Sequence, residues 1–225
     1  MMVLSNVKSY LASENLNDLQ KVSSSLRTML DNKLRDPDFS VLLDEGAVKR
    51  NEEAESFIPK DHLLAISCKD NSIRALRSVT DGDCLYSSAS LAVSGTNDLI
   101  DELRALTCIE LFENSLFYSN HPIFVSLFQS SDLFSCVEST LKFSVSHSSV
   151  DTGLSAADLV QKEAILMCSK NIWSSFICIL ALTSVLKRNI STLYPDCGQL
   201  RFKTLFNQNI FLKTYVSHHQ IFPLH

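Results

Sequence analysis

No two of the seven cysteines (Cys68, Cys84, Cys108, Cys136, Cys168, Cys178 and Cys197) stand in a CxxC spacing, and their number is odd. A disulfide framework needs paired cysteines and a structural zinc site needs closely spaced ligands, so neither is expected. The cysteines other than Cys84 mostly sit among apolar neighbours and read as small core residues. A clustered basic face is also missing. The net charge is −5, which gives no footprint for direct nucleic-acid binding. The start, Met1-Met2-Val3-Leu4-Ser5-Asn6, lacks the basic residues and apolar run of a signal peptide. The most apolar stretch, Trp173 to Leu186, contains Ser174, Ser175, Thr183 and Ser184 and is too short to span a bilayer. It reads as a buried helix presenting Trp173, Phe176, Ile177 and Leu180 to the core. No internal repeat or long low-complexity tract occurs. The expectation is an intracellular protein (cytoplasm or nucleus), reduced, off the membrane, with no metal or other cofactor.

What is present is core-forming residue. At 45% hydrophobic and 20% charged, 225 residues can bury one domain and a smaller helical annex. Leu16, Leu19, Val22, Leu26 and Leu30 recur at helical spacing, with Ser13 as the expected N-cap and Glu14 in the first turn. Packing of this stripe within the chain is the commoner fate, and a partner helix is the alternative. Lys49 to Glu55 is charged and reads as a solvated linker. The expected division is a helical N-terminal extension and linker over 1–65, then a second domain over 72–225. A helix is predicted to start at or just after Cys84. Another follows Asn97-Asp98, carrying Leu99, Leu103, Leu106, Ile109, Phe112 and Leu116 on one face and closed by His121-Pro122. Ser155-x-x-Asp158 is a capping-box start for a helix to about Cys168. Strands are predicted at Asn189–Tyr194, Arg201–Phe206 and Ile210–Val216. Helices first and strands later give an α+β (α/β-like) class, with helices packed on a small, incomplete β-sheet.

The segment Asp81-Gly82-Asp83-Cys84 has chemistry of its own. Gly82 lets the loop turn sharply and aim its amides inward. A cysteine at a helix N-terminus feels a field that favours thiolate over thiol. Amides of the same loop, Asp81 to Asp83, could hold an oxyanion formed when the thiolate attacks a carbonyl. From spacing alone this reading and a capped helix start with an inert cysteine stand level.

Asp81-Gly82-Asp83-Cys84-Leu85-Tyr86 resembles the Asp-Gly-Asn/Asp-Cys-Leu-aromatic signature of the ovarian-tumour (OTU) cysteine proteases, and Leu103-Arg104 resembles a Leu-Arg pair that many of them carry. Further along, Trp173-Ser174-Ser175-Phe176, Leu182-Thr183-Ser184-Val185-Leu186, Tyr194-Pro195-Asp196-Cys197 and Leu205-Phe206-Asn207-Gln208 resemble the OTU-like region of vertnin and similar proteins. The resemblance spans roughly 75 to 210. It implies the OTU fold, with Cys84 as nucleophile and its preceding loop in the oxyanion hole. It also links the chain to proteins of transcriptional regulation.

Such a protease needs a histidine to take the thiol proton and a third group to orient it. By the family's chain order the base is His219, with His218 beside it. Asp81 completes the candidate catalytic set, although the loop has first use of it. His62, His121 and His147 read as solvent-facing or structural. Only ten residues, 209–218, separate Gln208 from His219, too few for the further strands the family usually has there. Two functions follow from this pattern. One is a cysteine-type deubiquitinase that cleaves ubiquitin isopeptide bonds. The other is an inactive, vertnin-like module that binds ubiquitin or another protein partner.

Overall fold

A computed structural model of the chain describes residues 2–35, 37, 38, 42, 43, 45, 46, 48–53, 75–124, 137, 138, 154–192, 209 and 210. In chain order the elements are α1 (Met2–Ala12), α2 (Leu16–Lys33), α3 (Cys84–Ser94), α4 (Ile100–Glu113), α5 (Ser115–Ser119), α6 (Ala156–Met167), α7 (Phe176–Leu186), β1 (Ile190–Ser191) and β2 (Asn209–Ile210).

α4 is the axis. Every residue from Leu103 to Phe112 is buried, so the helix is covered on all sides, as a helix at the centre of a helical layer must be. α1, α2, α3, α6 and α7 all pack against it. Two of its buried polar residues, Thr107 and Glu110, have partners close by. Thr107 donates to the Leu103 carbonyl at 2.7 Å. Glu110 accepts from Tyr118 Oη at 3.0 Å and from Arg27 Nη2 on α2 at 3.4 Å.

The leucine stripe of the N-terminal region is used within the chain. Leu19, Leu26 and Leu30 of α2 join Leu4, Val7 and Leu11 of α1 in one core with α4, α6 and α7. Leu16 alone of the stripe is exposed. The N-cap is Asn15 rather than Ser13. The Ser13 hydroxyl donates back to the Ser9 carbonyl, and Glu14 adopts a left-handed conformation (φ 53°) that turns α1 into α2. Asn15 then caps Asp18 and bonds its side chain.

Two further expectations are corrected. The helix predicted after Asn97-Asp98 ends at Glu113, because Asn114 leaves helical geometry and bonds its side chain to the Glu110 carbonyl at 3.2 Å. α5 restarts at Ser115 and leaves Leu116 exposed. The second correction concerns α7, which begins at Phe176, not Trp173. Ser175 is extended (ψ 168°), and the Ile172 carbonyl is held by a buried arginine, so the backbone before Phe176 cannot coil. Trp173 is half exposed in consequence.

Other expectations hold. α3 starts at Cys84 and ends at Gly95 in the left-handed conformation (φ 75°). Ser155 and Asp158 form the reciprocal capping box of α6, which is closed by Cys168. Residues 49–53 of the predicted linker are largely solvent-facing but not detached, since Arg50 and Leu76 form an antiparallel bridge just before the cysteine loop. Strand pairing among the described residues is otherwise the antiparallel pair β1–β2, Ile190 with Ile210 and Ser191 with Asn209. The described part is therefore helical with a short β pair. The strand expected at Arg201–Phe206 lies outside the described residues, as do residues 211–216 of the next one.

Because α1 and α2 share one core with α4, Leu11→Ala should cost the whole fold about 2–5 kcal/mol. Denaturant unfolding should show one transition with a lower midpoint and unchanged steepness. Two separate transitions would contradict a shared core.

Candidate active site around Cys84

Asp81, Gly82, Asp83 and Cys84 form a tight loop entering α3. The Asp81 side chain accepts from the Asp83 amide at 3.0 Å, and the Asp81 carbonyl accepts from the Cys84 amide at 3.2 Å. Asp81 is thus the organiser of the turn, as an aspartate bonding its backbone two residues on often is. α3 is held from the other side by small hydroxyls. Ser87 accepts from the Val79 amide at 3.3 Å and donates to Asn97 Oδ1 at 2.8 Å, while Ser90 donates to the Thr96 carbonyl at 2.6 Å.

Beneath the loop lies Arg104, fully buried on α4. Its Nη2 donates to the Gly82 carbonyl at 2.7 Å and to Asp83 Oδ1, and its Nη1 donates to the Met167 carbonyl at 2.9 Å. Both nitrogens reach the Ile172 carbonyl at 3.2 Å. The guanidinium also lies 4.5 Å above the Tyr86 ring centre, a cation–π contact in a desolvated place. A buried charge of this kind is tolerable only when paired and hydrogen-bonded, and here the acceptors come from three separate segments. Gly82 completes the seal. A β-carbon there would collide with the Asn171 carbonyl group and the Ile172 nitrogen, so only glycine lets the two loops touch.

Cys84 is half-buried, whereas Cys108, Cys168 and Cys178 are buried. Burial pushes the Cys178 thiol up to about 12 and raises Cys108 as well. These three fit the core reading; Cys68, Cys136 and Cys197 lie outside the described residues. The Cys84 thiol is also raised, chiefly by burial and further by the Asp81 carboxylate. Hydrogen bonding from the backbone at Leu85 and Cys84 and the charge of Arg104 pull the other way without prevailing. The balance at this helix start therefore favours the thiol, against the expectation from its N-terminal field.

Sequence reasoning placed Asp81, Gly82, Asp83 and Cys84 together, and they are together. It did not find the work of Arg104, whose signal was limited to the Leu103-Arg104 pair. His218 and His219 lie outside the described residues, as do His62, His147 and His225. His121 is wedged between Phe117 and Phe124 with ring centres at 5.7 and 6.4 Å. Its Nδ1 accepts from the Ile123 amide at 3.3 Å, and burial lowers its pKa to about 4. This is a neutral packing histidine. Among the described residues no group of His, Cys, Asp and Glu could hold a metal ion, and no helix is long and apolar enough to cross a membrane.

The family described as vertnin, OTU domain, matches residues 75–222. No curated protein and no solved structure gives a significant match.

Two predictions follow from the charges. Arg104→Met leaves Asp83 buried and uncompensated, so it should cost about 3–5 kcal/mol in denaturant unfolding. Asp83→Asn keeps an acceptor for Arg104 but leaves its charge without a counter-ion and should also destabilise; unchanged midpoints for both variants would sink the clamp. His121 gains its proton first in the unfolded chain, so its contribution leaves stability unchanged above pH 6.5 and removes it progressively as pH falls towards 4. The loss is at most about 3 kcal/mol, less the share screened at its open edge. His121→Asn, whose Oδ1 can take the same amide, should flatten that part of the melting-temperature curve.

Proposed function

The chain belongs to the vertnin OTU-domain family, and on that premise we propose that it is an OTU-type thiol hydrolase acting on the isopeptide bond at the C-terminal tail of ubiquitin. One observation carries the reading. Among the described cysteines only Cys84 reaches solvent, and it does so from the first residue of a helix whose loop is immobilised by a buried arginine. An inert core cysteine requires no such arrangement. In the proposed reaction His219 takes the Cys84 proton, and the sulfur adds to the isopeptide carbonyl carbon. The carbonyl oxygen becomes an oxyanion facing the Asp81 to Cys84 loop. The carbon–nitrogen bond then breaks, the lysine amine leaves with the proton from His219, and water hydrolyses the remaining thioester. The raised thiol pKa of Cys84 makes such a base essential. An extended sheet beyond β1 and β2, which would make the domain α+β and bring His219 beside Cys84, belongs to the same proposal.

A second reading rests on a specific observation. The Asp83 and Cys84 amides, which an oxyanion would need, already donate to Asp81. A loop satisfied in this way, with a protonated thiol, suits a catalytically inactive OTU-like module that binds a protein partner, in keeping with a link to transcriptional regulation.

A ubiquitin carrying a C-terminal electrophile separates the two. The hydrolase reading expects an adduct on the folded chain that Cys84→Ala abolishes and that His219→Gln slows by about 10²-fold or more, the usual worth of a general base. Folded protein that binds ubiquitin without forming an adduct would establish the module instead.

A further inference from the structure

Residues 168–172, the first part of the connection between α6 and α7, are gripped from both sides. On one side, as described above, Arg104 holds the Met167 and Ile172 carbonyls and the backbone of Asn171 and Ile172 lies on Gly82. On the other side is α1. Lys8 Nζ donates to Ser169 Oγ at 2.7 Å, and Cys168 Sγ donates to the Leu4 carbonyl at 3.3 Å. Both α1 residues lie on or beside the face formed by buried Leu4, Val7 and Leu11, which seats α1 on α4 and α6. Lys170 adds an ion pair to Asp101 of α4 at 3.0 Å. α1 therefore contacts the near end of a short connection whose far end forms the floor of the cysteine loop. Residues 2–12 also lie outside the stretch matched by the family, 75–222.

We infer that α1 is a positioning element for Cys84, acting through the Lys8–Ser169 and Leu4–Cys168 contacts on the 168–172 connection. The connection has little slack. Asn171 sits in the left-handed region (φ 58°) and turns the backbone onto Gly82. Loosening Ser169 releases one hold on that turn, and the Gly82 to Cys84 loop lies directly against it. The contact begins at the part-buried side chains of Lys8 and Ser169 and continues through backbone that lies against Gly82, a short path for a displacement to follow. This inference goes beyond the proposed hydrolysis and does not depend on it, since it concerns the surroundings of the thiol whether or not the thiol is a nucleophile.

The test is the alkylation rate of Cys84 by iodoacetamide in the full chain, followed by mass spectrometry of each cysteine-containing peptide across pH 6.5 to 10. Lys8→Met keeps the aliphatic stem and loses the hydrogen bond; Ser169→Ala removes the same bond from the other partner. Each should raise the Cys84 rate by about threefold or more, as partial relief of burial frees the thiolate, and should move the pH profile downward. The double variant should go no further than either single one. Lys21→Met, which breaks an exposed ion pair on α2, should behave as the parent chain. Unchanged Cys84 rates in folded Lys8→Met and Ser169→Ala would overturn the inference. A parallel rise at buried Cys108 and Cys178 would also overturn it, since that pattern marks general loosening.

Discussion

One buried cation organises this protein's candidate site. Removing a guanidinium from water is costly, and Arg104 recovers that cost only by meeting a carboxylate, three backbone carbonyls and the face of Tyr86 at once. Those acceptors belong to the cysteine loop, the end of α6 and the approach to α7. The requirement that one charge be satisfied thus becomes a requirement that three segments meet at one place. Lysine could not substitute, because a point charge with three donors cannot span the same fork. Asp83 contributes a single oxygen to the arrangement, which gives a physical reason why the related signature takes asparagine or aspartate at that position.

Local features could be read directly from residues. The start of α3 at Cys84, the capping box at Ser155 and the stripe of α2 each depend on neighbours within a turn or two, where side-chain type and spacing decide the outcome. Arg104 escaped because its partners are mostly backbone carbonyls, and these leave no mark in side-chain identity. The start of α7 was misplaced for the same reason. Hydropathy favours a helix from Trp173, but the Ile172 carbonyl is already engaged from 68 residues away. The charge state of Cys84 failed on magnitude. A helix-end field favours the thiolate, yet the half-buried thiol is raised, chiefly by desolvation.

The N-terminal helices change the meaning of the domain boundary. The N-terminal stripe is expected to pack within the chain, and its contacts are those of a core element, with Leu4, Val7 and Leu11 buried beside α4. Arg27 on α2 reaches Glu110 in the middle of that axis. A boundary drawn by family resemblance begins at residue 75 and so cuts through a continuous hydrophobic core.

The seal at Gly82 bears on how the molecule is made. Gly82 lies 22 residues before the α4 arginine and Ile172 lies 68 residues after it, so none of the three segments can pre-form the place where they meet. Closing such distant segments costs entropy before any contact rewards it, which puts this junction among the late events of folding. A chain still maturing would have its helices but no seated Cys84. The cysteine would meet its neighbours on α3 first and the arginine-held junction last, so only completed molecules could present it in this setting.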